Sequence, residues 1–255
     1  MELNLLIDSY IDALNIRNNL APCQMQGWHF LYRGHARVVY KLVSTIGRKK
    51  PINNDLQKSE RLCFESFKEL IQPLNHNLLR YKLNRYNEDM FYMSIGRHVG
   101  LDCRLLDWTA SLETALYFCA SDEKYANEIG RLFVLMTKDI TTINASKNPF
   151  EIKDFTIIKE DYLIPNDSSI EDFPLGIIRR FRQNGFFTIS RIDKTEVPLD
   201  NLEKSETQII YFNITPNAKK DILTNVERNN KYLYISNNEE IIDKIKAINS
   251  RFFRE

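Results

Sequence analysis

The sequence is poor in cysteine, glycine and proline, with four, eight and eight of them among its 255 residues. No two cysteines are separated by just two residues, which excludes the usual structural zinc motifs, and no metal site is predicted. The glycines are scattered, which excludes a P-loop and a Gly-x-Gly-x-x-Gly string. The sequence shows no apolar run of membrane-spanning length and no apolar signal segment. We therefore expect a cytoplasmic protein with reduced thiols and no membrane partner.

An excess of charge of either sign is also lacking. Lysine and arginine total 35 against 34 for aspartate and glutamate, so the formal net charge is +1. A nucleic-acid partner is not supported, because such binders usually carry a basic excess or a basic stripe. Hydrophobic residues make up 43% of the chain, enough to bury a full core, and the length fits one α+β domain.

The spacing of apolar residues divides the chain into a helical first half and a second half that holds most of the strands. Helices are predicted at residues 1–20, 54–74, 78–92, 112–120, 218–227 and 239–248. Strands are predicted at residues 28–32, 131–136, 155–158, 185–189 and 208–214. This segregation predicts a single α+β domain over residues 1–255, with a mixed or antiparallel sheet built mainly from the C-terminal half. The helix over residues 1–20 is expected to be an appendage to a core at 28–250.

Two short strings carry most of the candidate site residues. The first reads WHFLYRGH at residues 28–35, and the second reads RHVGLDCRLLDWT at residues 97–109. Both mix charged side chains with large apolar ones. Arginine, histidine and aspartate are costly to bury unless they are paired. We therefore expect these charges to face one another or a ligand.

Arg33 follows an apolar, aromatic run and precedes Gly34. A guanidinium at the end of a buried strand can offer a planar fork to a phosphate or carboxylate. Gly34 would then let the ligand come close to the backbone. In the other interpretation Arg33 is structural and pairs with Asp107 or another buried acid. The sequence alone leaves these two interpretations open.

The second string offers a similar choice. Arg104 and Asp107 favour a buried network that fixes the entry of the next helix, with a ligand contact as the alternative. Trp108 and Thr109 can wall a pocket, with the indole stacked on a planar ligand. His98 lies in a glycine-flanked segment and is either structural or part of the same site.

A third string reads IIRRFRQNGFF at residues 177–187. Its three arginines end a helical pattern, where they can complement the helix dipole ahead of a tight Asn-Gly turn. In the functional interpretation, Gln183 lies on the rim of the cleft that the other two strings form.

The first two strings resemble the two signatures of the FRG domain, a family named for its aromatic-Arg-Gly motif. Tyr32-Arg33-Gly34 corresponds to the first signature. The second reads approximately His-aromatic-Gly-Leu-Pro-Thr-Arg-Leu-Leu-Asp-Trp-Thr, and this chain departs from it at Val99, Asp102 and Cys103. The resemblance extends from about Trp28 to the C-terminal segment.

The order of these elements is also similar to that of ADP-ribosyltransferases. That resemblance implies an ADP-ribosyltransferase-like fold, NAD as a substrate, and catalytic positions at Arg33, Thr109 and Gln183. It implies contacts to the dinucleotide from Tyr32, Arg33, Gly34, His98, Arg104, Asp107, Trp108, Ser111 and Phe187. Gln183 and Phe187 gain weight because FRG-like sequences tend to carry a Gln-Gly-Phe string at this place. A glutamate usually stabilises the charge that develops on the ribose, and the neutral amide of Gln183 does so less well.

The resemblance therefore implies a nucleotide cleft used for ADP-ribosyl transfer or NAD hydrolysis, in a bacterial defence or toxin-like setting. The alternative is a non-catalytic module that binds a small ligand or a protein through the same cleft. Release of nicotinamide from NAD would distinguish the two.

Overall fold

The computed structural model describes residues 6–73, 82, 86–138, 146–159, 185–201, 207–226 and 239–254. Within them, the strands are β1 (Leu6–Ile7), β2 (His29–His35), β3 (Lys50–Pro51), β4 (Leu106–Thr109), β5 (Gly130–Thr137), β6 (Thr156–Lys159), β7 (Gly185–Ile189), β8 (Thr207–Ile214) and β9 (Phe253–Arg254). The α-helices are α1 (Tyr10–Met25), α2 (Leu56–Ile71), α3 (Glu88–His98), α4 (Leu112–Ala120), α5 (Pro216–Val226) and α6 (Glu239–Phe252). These elements fall into two compact units, each assembled from three separate segments of the chain.

The first unit comprises Met1–Leu42, Asp107–Thr141 and Pro198–Leu233. Its strands lie in the order β1-β8-β5-β2-β4, with β1 parallel to β8 and the other neighbours antiparallel. The register sets Arg33 of β2 opposite Phe133 of β5, and Phe133 opposite Tyr211 of β8. These three positions therefore form one row across the sheet.

Helices α1, α4 and α5 pack on one face of this sheet. Alternate residues of β5, namely Leu132, Val134 and Met136, share a hydrophobic core with all three helices. Gly34 lies against the same helical layer, because a Cβ atom placed there would stand 2.0 Å from the backbone oxygen of Ala115. The backbone of α4 thus occupies the space that a side chain at Gly34 would need.

The second unit comprises Val43–Leu106, Thr142–Val197 and Tyr234–Glu255. It contains α2, α3 and α6, the antiparallel pair β6–β7 and the antiparallel pair β3–β9. Its core is rich in fully buried phenylalanine rings, including Phe64, Phe67, Phe91 and Phe187. Asp55 begins α2, since its carboxylate accepts the backbone N–H of Lys58 at 2.9 Å.

The α+β class is confirmed, with the early helices and late strands that the apolar spacing predicts. Helix α4 and strand β7 have the predicted bounds. The single-domain organisation stays a prediction. No helix in the described part of the chain combines the length and hydropathy needed to cross a membrane.

The predicted helix over residues 1–20 needs correction. Leu6–Ile7 is a strand that pairs with Asn213–Ile214, and the helix begins only at Tyr10, after the N-cap Ser9. Pairing with a distant strand overrides the helical spacing of these apolar residues, a preference that tertiary contacts commonly outweigh. Helix α1 is also part of the first unit's core, where Ala13 is among its buried residues.

Two other predicted boundaries also differ from the structure. The predicted strand over 28–32 continues through Gly34 to His35, because Gly34 pairs with Leu132 on β5. The predicted helix over 78–92 overlaps α3, which begins at Glu88, where the side chain of Asn87 accepts the N–H of Met90 at 3.1 Å. Residues 78–81 and 83–85 lie outside the described residues.

Gly34→Ala is expected to lower the free energy of unfolding by about 3 kcal/mol or more, because overpacking forces backbone shifts when the obstructing atoms cannot move. The added methyl group would meet the Ala115 oxygen and, at 2.8 Å, the Cys119 nitrogen. Gly27→Ala is the control, since its Cβ would have open space and only its φ of 83° opposes alanine. Urea denaturation measures both variants. Equal losses in the two would contradict the packing argument.

The cysteines supply a chemical test of the core. Burial raises the pKa of Cys119 to about 12 and raises the pKa of Cys63 further above its ordinary value. Cys103 is also buried, whereas Cys23 is partly exposed. Because the thiolate is the reactive form, we expect a thiol reagent at pH 8 to modify one cysteine quickly in the native protein and four after denaturation. Cys23→Ser should remove the fast phase; a second fast thiol would show that the core opens.

Candidate functional site

Arg33 is held at the end of β2 by its own strand and by β4. Its NH1 group donates to the backbone oxygen of Asp107 and, at 3.3 Å, to the carboxylate Oδ2 of the same residue. Its Nε donates to Nε2 of His35 at 2.9 Å. The side chain is 16% exposed and that of Asp107 is 33% exposed. The pairing of Arg33 with Asp107, one of the two interpretations of the sequence, is thus present in the structure.

The hydrogen bonds of His35 assign its tautomer. A guanidinium can only donate, so the Nε2 atom that faces Arg33 must accept. The proton therefore lies on Nδ1, which donates to the backbone oxygen of Tyr40 at 3.1 Å. The neutral ring also packs edge-on against Phe133, with 5.1 Å between centroids. We call Arg33, His35 and Asp107 the Arg33 cluster; it presents one cation, one anion and a neutral imidazole.

Strand β4 leads from this cluster directly into helix α4. Thr109 pairs with Tyr32 of β2, and its Oγ1 accepts the backbone N–H of Ser111 at 3.0 Å. Ser111 is the N-cap of α4, since its hydroxyl accepts the N–H of Thr114 at 3.1 Å. Such capping satisfies backbone donors that the first helical turn leaves unpaired. The hydroxyls of Thr109 and Ser111 thus hold the entrance of the helix, which differs from the ligand-facing roles predicted for them.

A family model connects both strings. The model of the FRG domain matches residues 28–128. The chain contains an FRG domain. Searches of curated proteins and of solved structures found no significant match. The family match ends short of the C-terminal segment, so the third string lies outside the matched part.

Arg104 of the FRG domain is buried, with 3% of its side chain exposed, and it pairs with Glu60, which is 1% exposed. The carboxylate of Glu60 accepts the Nε of Arg104 at 2.7 Å and its backbone N–H at 2.9 Å. The remaining nitrogens of the guanidinium donate to backbone oxygens of Ser190 and Pro149. Each nitrogen of the Arg104 guanidinium is therefore engaged within the second unit, as in the buried network that the sequence favours, and its contact to a dinucleotide stays a prediction.

The aromatic rings predicted to stack on a ligand are enclosed by protein. Trp108 is 3% exposed and Phe187 is 0% exposed. Tyr32 is 5% exposed, and burial raises the pKa of its phenol. It belongs to the core that β2 shares with α4. These three rings are packed inside the protein in this structure, and their role as ligand-binding surfaces stays a prediction.

The other predicted site residues are placed as follows. Gly34 contacts α4, so its missing side chain makes room for the helix, whereas we had expected it to make room for a ligand. His98 ends α3 in the second unit, where its ring lies 5.6 Å from that of Phe187. Gln183 lies outside the described residues. Among the described residues, no group of three or more His, Cys, Asp and Glu side chains could hold a metal ion.

The role of His35 as the acceptor for Arg33 was not predicted. The alternation of a β-strand could have predicted this contact, because Arg33 and His35 are two residues apart and therefore point to the same face. It was missed because the predicted strand ended at residue 32, before Arg33 and His35. The same alternation applies to Arg131 and Phe133 on β5, which the register places opposite His35 and Arg33.

Glu60→Ala is expected to lower the free energy of unfolding by about 3–5 kcal/mol, because it leaves the buried charge of Arg104 unpaired. Arg191→Ala in the same unit is the matched control, since its ion pair with Asp193 has both side chains more than half exposed. Surface pairs of that kind contribute little to stability. Urea denaturation of both variants measures the difference. A Glu60→Ala protein as stable as the control would contradict the structural role of Arg104.

Proposed function

We propose that the FRG domain of this chain binds a nucleotide, with NAD as the first candidate, through the Arg33 cluster. The observation that carries the proposal is the fixed orientation of the partly exposed Arg33 by Asp107 and His35. A guanidinium that is already oriented loses little side-chain freedom when it takes up a ligand. It also presents a planar set of donors that matches phosphate and carboxylate groups.

The composition of the cluster supports a ligand with both acceptors and donors. Arg33 can donate to anionic oxygens, while the half-buried carboxylate of Asp107 can accept from a hydroxyl group. A nucleotide carries both kinds of group, in its phosphates and its ribose. A simple inorganic anion would use Arg33 alone and would be repelled by Asp107.

The geometry favours binding over turnover. Thr109 is 5% exposed and its hydroxyl is used at the entrance of α4. The described residues therefore support a binding module first. NAD hydrolysis is the second candidate, because the order of elements resembles that of ADP-ribosyltransferases and Tyr32 of the first motif pairs with Thr109 of the second. The defence setting stays a prediction.

Arg33→Ala is expected to weaken NAD binding by roughly 1.5–3 kcal/mol, the range for hydrogen bonds to charged groups. Isothermal titration calorimetry of the full chain measures the affinity. Arg17→Ala is the matched control, because Arg17 also pairs with a carboxylate of the first unit, that of Glu113 at 2.9 Å. Arg33→Lys should recover part of the affinity, since it keeps the charge and loses the planar fork.

The folding of each variant is checked by circular dichroism at the titration temperature, because Arg33→Ala also removes the bonds to Asp107 and His35. Retention of wild-type affinity in a folded Arg33→Ala protein would refute the proposal, as would an equal loss in Arg17→Ala. Nicotinamide is assayed in the same samples. Its release by the wild type, and not by Arg33→Ala, would raise NAD hydrolysis above simple binding.

A further inference from the structure

The described arginines of the first unit differ in how their charge is compensated. Arg17 pairs with Glu113, Arg33 with Asp107, and Arg37 with Glu128. Arg131 on β5 has no acidic partner among the described residues. Its Nε donates to the amide oxygen of Asn213 on β8 at 3.1 Å. An amide orients the guanidinium as a carboxylate would, and it leaves the positive charge uncompensated.

The guanidinium of Arg131 also lies over an aromatic ring. Its guanidinium carbon lies 4.2 Å from the ring centre of Tyr211 and 5.9 Å from that of Phe133. Cation–π stacking of this kind orients the planar group. Because Asn213 uses only the Nε–H, the terminal NH1 and NH2 groups donate to no described residue. The side chain is partly exposed, so those two groups form a preset fork of donors.

A continuous series of contacts joins this fork to the Arg33 cluster. The ring of Phe133 lies 6.3 Å from that of Tyr211 and 5.1 Å from that of His35, and His35 accepts from Arg33. In the register of β2 and β5, Arg131 stands opposite His35, which makes it the diagonal neighbour of Arg33. Diagonal neighbours across antiparallel strands lie about 7–8 Å apart. Two long arginine side chains at that spacing can reach oxygens of a single diphosphate.

We propose that Arg131, stacked on Tyr211 and oriented by Asn213, is a phosphate-binding residue, and that the ligand of this sheet face is a nucleoside diphosphate or a dinucleotide. This inference rests on the proposed function and specifies its ligand class. Arg33 and Asp107 recognise one end of the ligand. Arg131 binds the diphosphate, because its uncompensated positive charge attracts the negatively charged phosphate oxygens.

The test is a calorimetric comparison of ADP, adenosine and inorganic pyrophosphate on the full chain. Arg131→Gln should weaken ADP and NAD binding by about 10- to 100-fold, the equivalent of one strong charged hydrogen-bond pair. Adenosine, which lacks phosphate, should bind Arg131→Gln and wild type equally. Arg37→Gln is the matched control, because Arg37 is also stacked on a ring, that of Tyr125 at 4.8 Å, but is already paired with Glu128.

A second variant tests the role of charge without removing the arginine. Asn213→Asp places a carboxylate on the Nε of Arg131, so the phosphate must compete with an internal anion. We expect ADP affinity to fall about 10-fold while the melting temperature is kept or raised, since a new ion pair forms. A merely structural Arg131 would lose stability in Arg131→Gln and would show no difference between ADP and adenosine.

The outcomes separate the two proposals. If Arg33→Ala abolishes NAD binding while Arg131→Gln and Asn213→Asp bind ADP as the wild type does, the phosphate role of Arg131 is refuted and the proposed function stands. If pyrophosphate and ADP depend on Arg131 and not on Arg33, the phosphate role is supported and the proposed function fails. If the wild type binds none of NAD, ADP and pyrophosphate, both are refuted.

Discussion

The close contact between Gly34 and the backbone of α4 is the constraint on which the first unit depends. It fixes the distance between strand β2 and the helical layer, and it explains the three-residue motif through the alternation of a β-strand. Tyr32 and Gly34 face the helices, one as a buried ring and the other as an empty position. Arg33 between them must then point to the other face, where His35 and Phe133 lie. In the aromatic-Arg-Gly motif, Tyr32 and Gly34 therefore pack against the helices, and Arg33 places its positive charge on the opposite face of the sheet.

The second motif contains two charged residues, Arg104 and Asp107, that have separate structural roles. Arg104 is enclosed with Glu60 and backbone oxygens in the second unit, and it supports the fold without reaching solvent. Asp107, three residues later, belongs to the first unit and receives Arg33 through both its backbone and its side chain. The residues that follow cap α4, the helix that contacts Gly34. Both motifs thus meet at α4 and at the Arg33–Asp107 pair.

The sequence predicted well those features that arise locally. Helix α4 could be bounded because Ser111 is a strong N-cap next to an apolar run, and β7 because GFFTI reads as a short buried strand. Features set by distant contacts were missed. Leu6–Ile7 is a strand only because β8 offers it a partner. The buried network of Arg104 was foreseen, but its acidic partner, Glu60, was not, because it lies 44 residues earlier in the chain. The pair of Arg33 and Asp107, 74 residues apart, was foreseen as one of two interpretations, since buried charges need partners.

The basic side chains of the first unit differ in how their positive charge is compensated, and one of them, Lys219, is buried. The partly exposed arginines Arg33 and Arg37 are balanced by carboxylates, whereas the amide of Asn213 leaves Arg131 charged. Lys219 of α5 is the buried member, and burial lowers the pKa of its amine. Its Nζ donates to the backbone oxygens of Ala36 at 2.6 Å and Tyr125 at 2.7 Å.

The partners of Lys219 connect the helical layer with the arginine-bearing end of the sheet. Ala36 directly follows His35, and Tyr125 supplies the ring on which Arg37 stacks. A single amine on α5 therefore fixes the backbone just beyond β2 and the segment that leads into β5. His35, the acceptor for Arg33, also donates to the backbone oxygen of Tyr40. The position of its ring therefore depends on the backbone just beyond β2, which Lys219 holds at Ala36. The helical layer on one face of the sheet thus constrains the strand around Arg33 at two points, by α4 at Gly34 and by α5 through Lys219.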